Sequence, residues 1–314
     1  MSSKQPSTLA LLHPRYWPTW FGLGLLRILE PLRYPVLYAL GRVVGAIVYR
    51  LPGSFRRTAE RNIELCLPEL SPVERGNLVR AHFRSLGIGL FETAMSWWSS
   101  NERILRIAKL EGKEHLEAAL ALGKGAILLS AHFTTLEIGA CVLCASIPAN
   151  IMYRPTSNLV LERFLMRNRA RKSKRAIPRD DIRAVVTALK QNEPVWYAPD
   201  QSYRKKGAQM VPLFGIPAAT NTATSRLAKM TGAAVLPYFQ ERLPNGAGYR
   251  MVIHPMLDHF PTNDPVVDAT RFNHLIETQI RHVPEQYLWI HRRFKGMTPE
   301  YPDYYGRKKL RGTS

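Results

Sequence analysis

The segment Leu128-Leu129-Ser130-Ala131-His132-Phe133-Thr134-Thr135-Leu136-Glu137 constrains the fold of this chain more than any other. It opens in the aliphatic run from Ala126 to Leu129, short and apolar enough for a buried strand. It leads into Leu136 to Ala145, apolar sequence that suits a helix started at Thr134 or Thr135. His132 is therefore expected in a strand-to-helix turn. A histidine aimed by a carboxylate can take the proton from a hydroxyl, while the acid fixes the tautomer and supports the imidazolium. Glu137 is the nearby carboxylate. Five residues on one regular helix is roughly 500° of rotation, so the two side chains meet only if His132 stands in the turn and Glu137 in the first turns of the helix. A substrate that brings its own hydroxyl needs no Ser or Cys nucleophile.

The remaining pattern extends this unit into an α/β fold, a single domain with a mainly parallel central sheet flanked by helices. Ser71-Pro72-Val73-Glu74 carries a capping box, with Ser71 as N-cap and Glu74 at the third helical position, and predicts a helix to about Ser96. A further helix ends near Lys190. Short strands are predicted at Glu193 to Asp200, Ala233 to Pro237, Tyr249 to Ile253 and Tyr287 to His291. Parallel sheets place their sites beyond the carboxyl ends of the strands. His132, Tyr153-Arg154, Asp200 and Pro237 all follow strand candidates and are placed to converge.

Two apolar stretches, Trp20 to Leu29 and Val36 to Leu51, are interrupted by Arg27, Glu30, Pro31, Arg33, Pro35 and Arg42. No window of about 20 residues is free of charge, as a standard spanning helix would require, and no signal-peptide pattern is present. Aromatic and arginine residues among aliphatics suit a helix lying in or tilted through a membrane interface, which is favoured over a buried helical hairpin. The expected division is residues 1–52 as a membrane-anchoring segment and 53–314 as a catalytic domain.

The formal net charge of +20 implies an acidic partner: nucleic acid, anionic membrane, phosphorylated substrate or acidic protein. Basic runs stand at Arg167, Arg169, Arg171, Lys172, Lys174 and Arg175 and at Arg204, Lys205 and Lys206. No nucleic-acid-binding signature accompanies them, so no nucleic acid is expected, and a basic membrane- or nucleic-acid-binding protein without catalysis stays as an alternative. The three cysteines, Cys66, Cys141 and Cys144, make no disulfide framework. The C-x-x-C at Cys141 lies in apolar helical sequence without a second metal-spaced pair, so no metal or other cofactor is expected. Ser130 lacks the elbow context of a hydrolase nucleophile.

Taken in order, several motifs resemble the late acyltransferases of lipid A biosynthesis, the lauroyl/myristoyl type and nearest the lauroyl type, within the wider H-x4-D/E glycerolipid acyltransferase superfamily. They are Leu11-Leu12-His13-Pro14-Arg15-Tyr16-Trp17, Arg61-Asn62-Ile63-Glu64-Leu65-Cys66-Leu67-Pro68-Glu69, Ala131 to Glu137, Met152-Tyr153-Arg154-Pro155, Val195 to Asp200, Val211-Pro212-Leu213-Phe214-Gly215 and Pro284 to Phe294. The resemblance implies transfer of an acyl chain from an acyl carrier protein thioester to the hydroxyl of a 3-hydroxyacyl chain. The acceptor would be a Kdo-bearing tetraacyl lipid A precursor at the cytoplasmic face of the inner membrane, and an acyloxyacyl ester would result. It implies His132 as general base oriented by Glu137, and Arg154 as a contact to acceptor phosphate. Asp200 falls at the acid of the third superfamily motif, and Pro237 at the proline of the fourth. Arg169 and Arg171 join the substrate-binding candidates from the basic run. Gln201 stands where glycerol-phosphate enzymes pair their acid with Gly, which argues against a glycerol-phosphate acceptor. An acyl chain also needs a dry slot, for which Phe133, Leu136, Val142 and Phe214 are the candidates. Another membrane lipid acceptor remains an alternative.

Overall fold

Alternate residues of the strand Ala126–Leu129 (β2) enter different cores. Ile127 and Leu129 pack on one face of the sheet, Ala126 and Leu128 on the other, and all are at most 1% exposed. A strand buried on both faces must be apolar throughout, as this one is. Each fully buried Leu or Ile here contributes about 1.5–3 kcal/mol. The chain is described as a computed structural model over residues 11–306, so the outer ends of the two expected segments, 1–10 and 307–314, lie outside the described residues.

The central sheet has seven strands in the order β1-β9-β8-β2-β5-β3-β4. These are Ala108–Glu111 (β1), β2, Asn150–Tyr153 (β3), Arg175–Pro178 (β4), Pro194–Tyr197 (β5), Ala234–Arg242 (β8) and Tyr249–Ile253 (β9). Every pairing is parallel except β8 with β9. A separate antiparallel hairpin, Ala208–Leu213 (β6) and Ile216–Asn221 (β7), was not expected from sequence. One face of the sheet carries Ser54–Cys66 (α3), Ile182–Lys190 (α9), Ala223–Thr231 (α10) and Pro265–His282 (α11). The other carries Lys113–Ala121 (α6) and Leu136–Ser146 (α7), together with residues of Tyr34–Arg50 (α2) and Pro72–Trp98 (α4). The short helix Asn101–Leu105 (α5) and Leu159–Lys172 (α8) complete this side.

The expected capping box forms. Glu74 N donates to Ser71 Oγ at 3.3 Å, and Ser71 N donates to Glu74 Oε2 at 2.8 Å. The expected strand at Tyr287 to His291 does not form. Pro284 opens a one-turn helix, and the following backbone bonds locally and to the His132 turn, leaving only an isolated bridge from Tyr287 to Phe133.

The two N-terminal apolar stretches are helices Trp17–Leu29 (α1) and α2. Of their interrupting charges only Glu30 is buried, where it pairs with Arg27 and with Arg103, each at 3.1 Å, while Arg27, Arg33 and Arg42 are exposed. Helix α2 lies tightly on α4, where a Cβ on Gly45 would stand 2.1 Å from the Phe83 carbonyl oxygen, so only glycine permits this crossing. The outer face is apolar: Trp17, Phe21, Leu25, Ile28 and Leu32, then Val36, Val43, Ile47 and Leu51, recur at helical spacing and are exposed. Among the described residues no single helix is long and apolar enough to cross a membrane. One bent pair, Tyr34–Arg50 with Ser54–Cys66 at 95°, passes that test by length and composition.

Candidate active site

Parallel pairing of β2 with β5 sets Leu129 opposite Tyr197. The chain beyond each strand end therefore emerges side by side, and His132 and Asp200 meet there. His132 Nδ1 lies 2.6 Å from Asp200 Oδ1, and the His132 backbone N–H donates to Asp200 Oδ2 at 3.0 Å. The Tyr287 hydroxyl adds a third donor to Oδ2 at 3.3 Å. Burial drives the Asp200 carboxyl upward, but the imidazole charge, these N–H donors and Arg293 together hold it below the ordinary carboxylate value. Asp200 is thus held toward its ionised, acceptor-only form, and Nδ1 is the His132 ring nitrogen that donates to it.

This is a correction to the expected partner. Glu137 does not hydrogen-bond His132. It sits in the first turn of α7, where its carboxylate accepts from Arg169 Nη2 at 2.6 Å. The Arg169 guanidinium also lies 5.2 Å from the centre of the Tyr153 ring.

The His132 turn is held by the surrounding chain. Leu288 N donates to His132 O at 3.0 Å, and Thr134 N to Gln286 O at 2.7 Å. The Thr134 hydroxyl meets Ser85 Oγ at 2.7 Å. Helix α4 approaches so closely that a Cβ on Gly89 would stand 2.7 Å from the Thr134 carbonyl. Behind the turn, Arg242 at the end of β8 forms a two-pronged ion pair with Glu92 of α4, at 2.5 and 2.6 Å. Both are almost completely buried, and Tyr249 and Ser85 complete the hydrogen bonds. Glu92 was not anticipated; its one sequence signal is a carboxylate within an apolar helix. Gln286 joins the same assembly by exchanging hydrogen bonds with the Arg242 backbone at 2.8 and 2.9 Å.

His132, Glu137, Arg154 and Arg169 line one cleft of about 660 Å³, and Asp200 touches it through His132. Pro237 does not reach it. It is buried inside β8 opposite Leu129, where its carbonyl accepts from His254. Nor does Arg171 line it; its guanidinium caps the α4 carbonyl of Trp97 at 3.2 Å. Of the four expected slot residues only Leu136 lines the cleft. Phe133 and Val142 are core, and Phe214 lies under Arg281 on another surface. The apolar wall instead comes from Trp97, Ala140, Cys141, Ile151 and Trp196 around Leu136. Two further residues of the Pro284–Phe294 stretch enter the site: Tyr287 through Asp200, and His291, whose Nε2 accepts the Ser202 N–H at 3.1 Å. Burial pushes His291 down to about 4, so it is neutral. Ser130 is fully buried and bonded to Gln240, unavailable as a nucleophile. The three cysteines are free, and among the described residues no cluster of metal-ligating groups occurs.

Residues 5–296 match the family described as bacterial lipid A biosynthesis acyltransferase. The chain is 39% identical over 306 residues to a lipid A biosynthesis lauroyltransferase of Escherichia coli, covering 97% of this chain and 100% of that protein. It is 40% identical over 285 residues to an E. coli lipid A biosynthesis palmitoleoyltransferase, covering 90% and 93% respectively. It is 30% identical over 307 residues to an E. coli lipid A biosynthesis myristoyltransferase, covering 95% and 93%.

Proposed function

The chain belongs to the bacterial lipid A biosynthesis acyltransferases and is an acyltransferase enzyme of that pathway; from this premise we propose its donor, acceptor and mechanism. The donor is an acyl carrier protein thioester. The acceptor is the hydroxyl of a 3-hydroxyacyl chain on a Kdo-bearing tetraacyl lipid A precursor. His132 Nε2 removes the hydroxyl proton as the oxygen attacks the thioester carbonyl. The carbon–sulfur bond breaks, the acyloxyacyl ester forms, and the proton passes from the imidazolium to the departing thiolate. No acyl-enzyme is required.

The observation that carries this reading is the 2.6 Å contact from His132 Nδ1 to the buried Asp200 at the rim of the cleft. Asp200 therefore takes the orienting role that sequence spacing assigned to Glu137. Glu137 holds the Arg169 guanidinium at the cleft wall, where it meets the polar part of a substrate. Arg154, exposed at the cleft, is the acceptor-phosphate contact carried over from the family motif. The apolar wall around Leu136 and Trp196 receives the acyl chain. The exposed apolar face of α1 and α2 rests in the cytoplasmic leaflet of the inner membrane, among whose lipids the acceptor resides. Arg33, Arg42, Arg50, Arg56 and Arg57 on and beside these helices favour an anionic surface.

The test is mass spectrometry of the tetraacyl precursor after incubation with purified protein and a panel of acyl carrier protein thioesters. A single added acyl mass is expected. His132→Ala should lower its rate by about 10²-fold or more with folding intact, and wild-type turnover in that variant would refute the mechanism.

A further inference from the structure

The cleft lining is chemically mixed. Beside the apolar residues of α4, α7 and β5 it includes Arg204, Arg226 and Lys295, brought from the loop after β5, from α10 and from the C-terminal segment. Among the described residues these three cations have no carboxylate partner, in contrast to Arg169, Lys174 and Arg175 nearby, which are all paired. The acids lining the cleft are Glu137, already engaged by Arg169, and Asp180, an exposed side chain beside Arg179. Three cations from three separate elements facing one concavity repel one another unless an anion joins them. The Lys295 ammonium is held below its ordinary value, first by burial and then by Arg204 and Arg292.

Two neutral features point to the same place. Ser202 Oγ is buried at the cleft without a hydrogen-bond partner, although its backbone N–H is fixed on His291. Helix α10 opens onto the cleft through Asn221 and Ala223; its N-cap residue Thr222 turns its hydroxyl away, to Gly207 O at 2.9 Å, while Asn221 Oδ1 accepts the Ala223 N–H at 3.0 Å. The positive end of the helix still favours an anion there.

We infer that Arg204, Arg226 and Lys295, with Ser202 and the amino end of α10, form a phosphate-binding subsite that holds the phosphorylated part of a substrate while its reactive end lies at His132. The inference rests on the acyltransfer reading above and adds to it residues outside the family motifs. Arg supplies a planar fork for phosphate oxygens and Lys a point charge, the usual division in phosphate recognition. Two substrate groups carry that chemistry: the phosphodiester of a donor's pantetheine arm and a sugar phosphate of the acceptor.

The experiment is calorimetric titration of the full-length protein in detergent with 4′-phosphopantetheine and with N-acetylglucosamine 1-phosphate, each against its unphosphorylated counterpart. At least one phosphorylated probe should bind while its counterpart does not, and the one that binds names the source. Arg226→Gln with Lys295→Gln should weaken that binding by about 10-fold or more. Arg204→Gln alone should weaken it less. Lys205→Gln, in the same basic run but outside the cleft, should leave it unchanged, which separates a built site from general attraction. Equal binding by wild type and the double variant, equal binding of the phosphorylated and unphosphorylated probes, or no binding by wild type would overturn the subsite. The readout is binding alone, so a failure of acyl transfer with these results intact would count against the reaction and leave the subsite standing.

Discussion

The His132–Asp200 pair and the Glu137–Arg169 pair meet at the same cleft with the same contact distance, 2.6 Å, yet they are built differently. Asp200 is 2% exposed, accepts three hydrogen bonds and is held ionised by them. Glu137 is 28% exposed and shares its charge with a single guanidinium on another helix. A carboxylate fixed by several donors in a dry site keeps its geometry through a reaction, whereas a partly exposed ion pair is worth less and rearranges more readily. The acid that orients the histidine is therefore the buried one, and the acid nearer in sequence is free to respond to substrate.

That contrast predicts a graded set of effects. The largest falls on the buried support of the histidine turn. Arg242→Met leaves Glu92 as an uncompensated buried charge and should cost about 3–5 kcal/mol in urea unfolding; a loss below about 1 kcal/mol would mean the ion pair does not brace the turn. Next comes acid sensitivity away from the site. His82 is fully buried, with Nδ1 3.1 Å from the Glu285 carbonyl, and burial pushes it down to about 4. Because the folded value lies below the ordinary one near 6.5, the unfolded chain binds the proton first. Stability is therefore lost as pH falls from about 6.5 to 4, by up to about 3 kcal/mol from this group. Asp200, depressed in the folded state, contributes stability that is present above about 4 and lost only at lower pH. Urea midpoints at pH 7, 5.5 and 4.5 for wild type and His82→Gln check this, and parallel curves would contradict it. The smallest effect belongs to the exposed pair. Glu137→Gln should reduce kcat/KM by about 10-fold, mostly through KM, and should add little when Arg169 is already Ala.

Local pattern carried the His132 turn. The apolar run of β2, the turn residues and the start of α7 all lie within one short segment, and the structure forms them where expected. The same holds for the capping box at Ser71 and for β9. The identity of the orienting acid was not legible, because it depends on pairing between strands far apart in the chain. Register sets Leu129 beside Tyr197, and three residues beyond each (129 to 132, 197 to 200) stand His132 and Asp200. Spacing along the chain favoured Glu137; parallel register selects Asp200. Pro237 and Arg171 show the same limit. Each lies near a strand end or in a basic run, but its neighbours in space turn it into the sheet or onto α4. The Tyr287 stretch has strand-like composition, yet Pro284 and bonds to the His132 turn hold it as a loop that closes over Asp200.

The most direct test compares Asp200→Asn with Glu137→Gln in one assay of acyl transfer at neutral pH. Asp200→Asn keeps the shape but removes the charge that fixes the His132 tautomer, and kcat should fall by about 10²-fold or more, at least ten times further than in Glu137→Gln. Near-normal kcat in Asp200→Asn together with a severe loss in Glu137→Gln would return the orienting role to Glu137 and contradict this account.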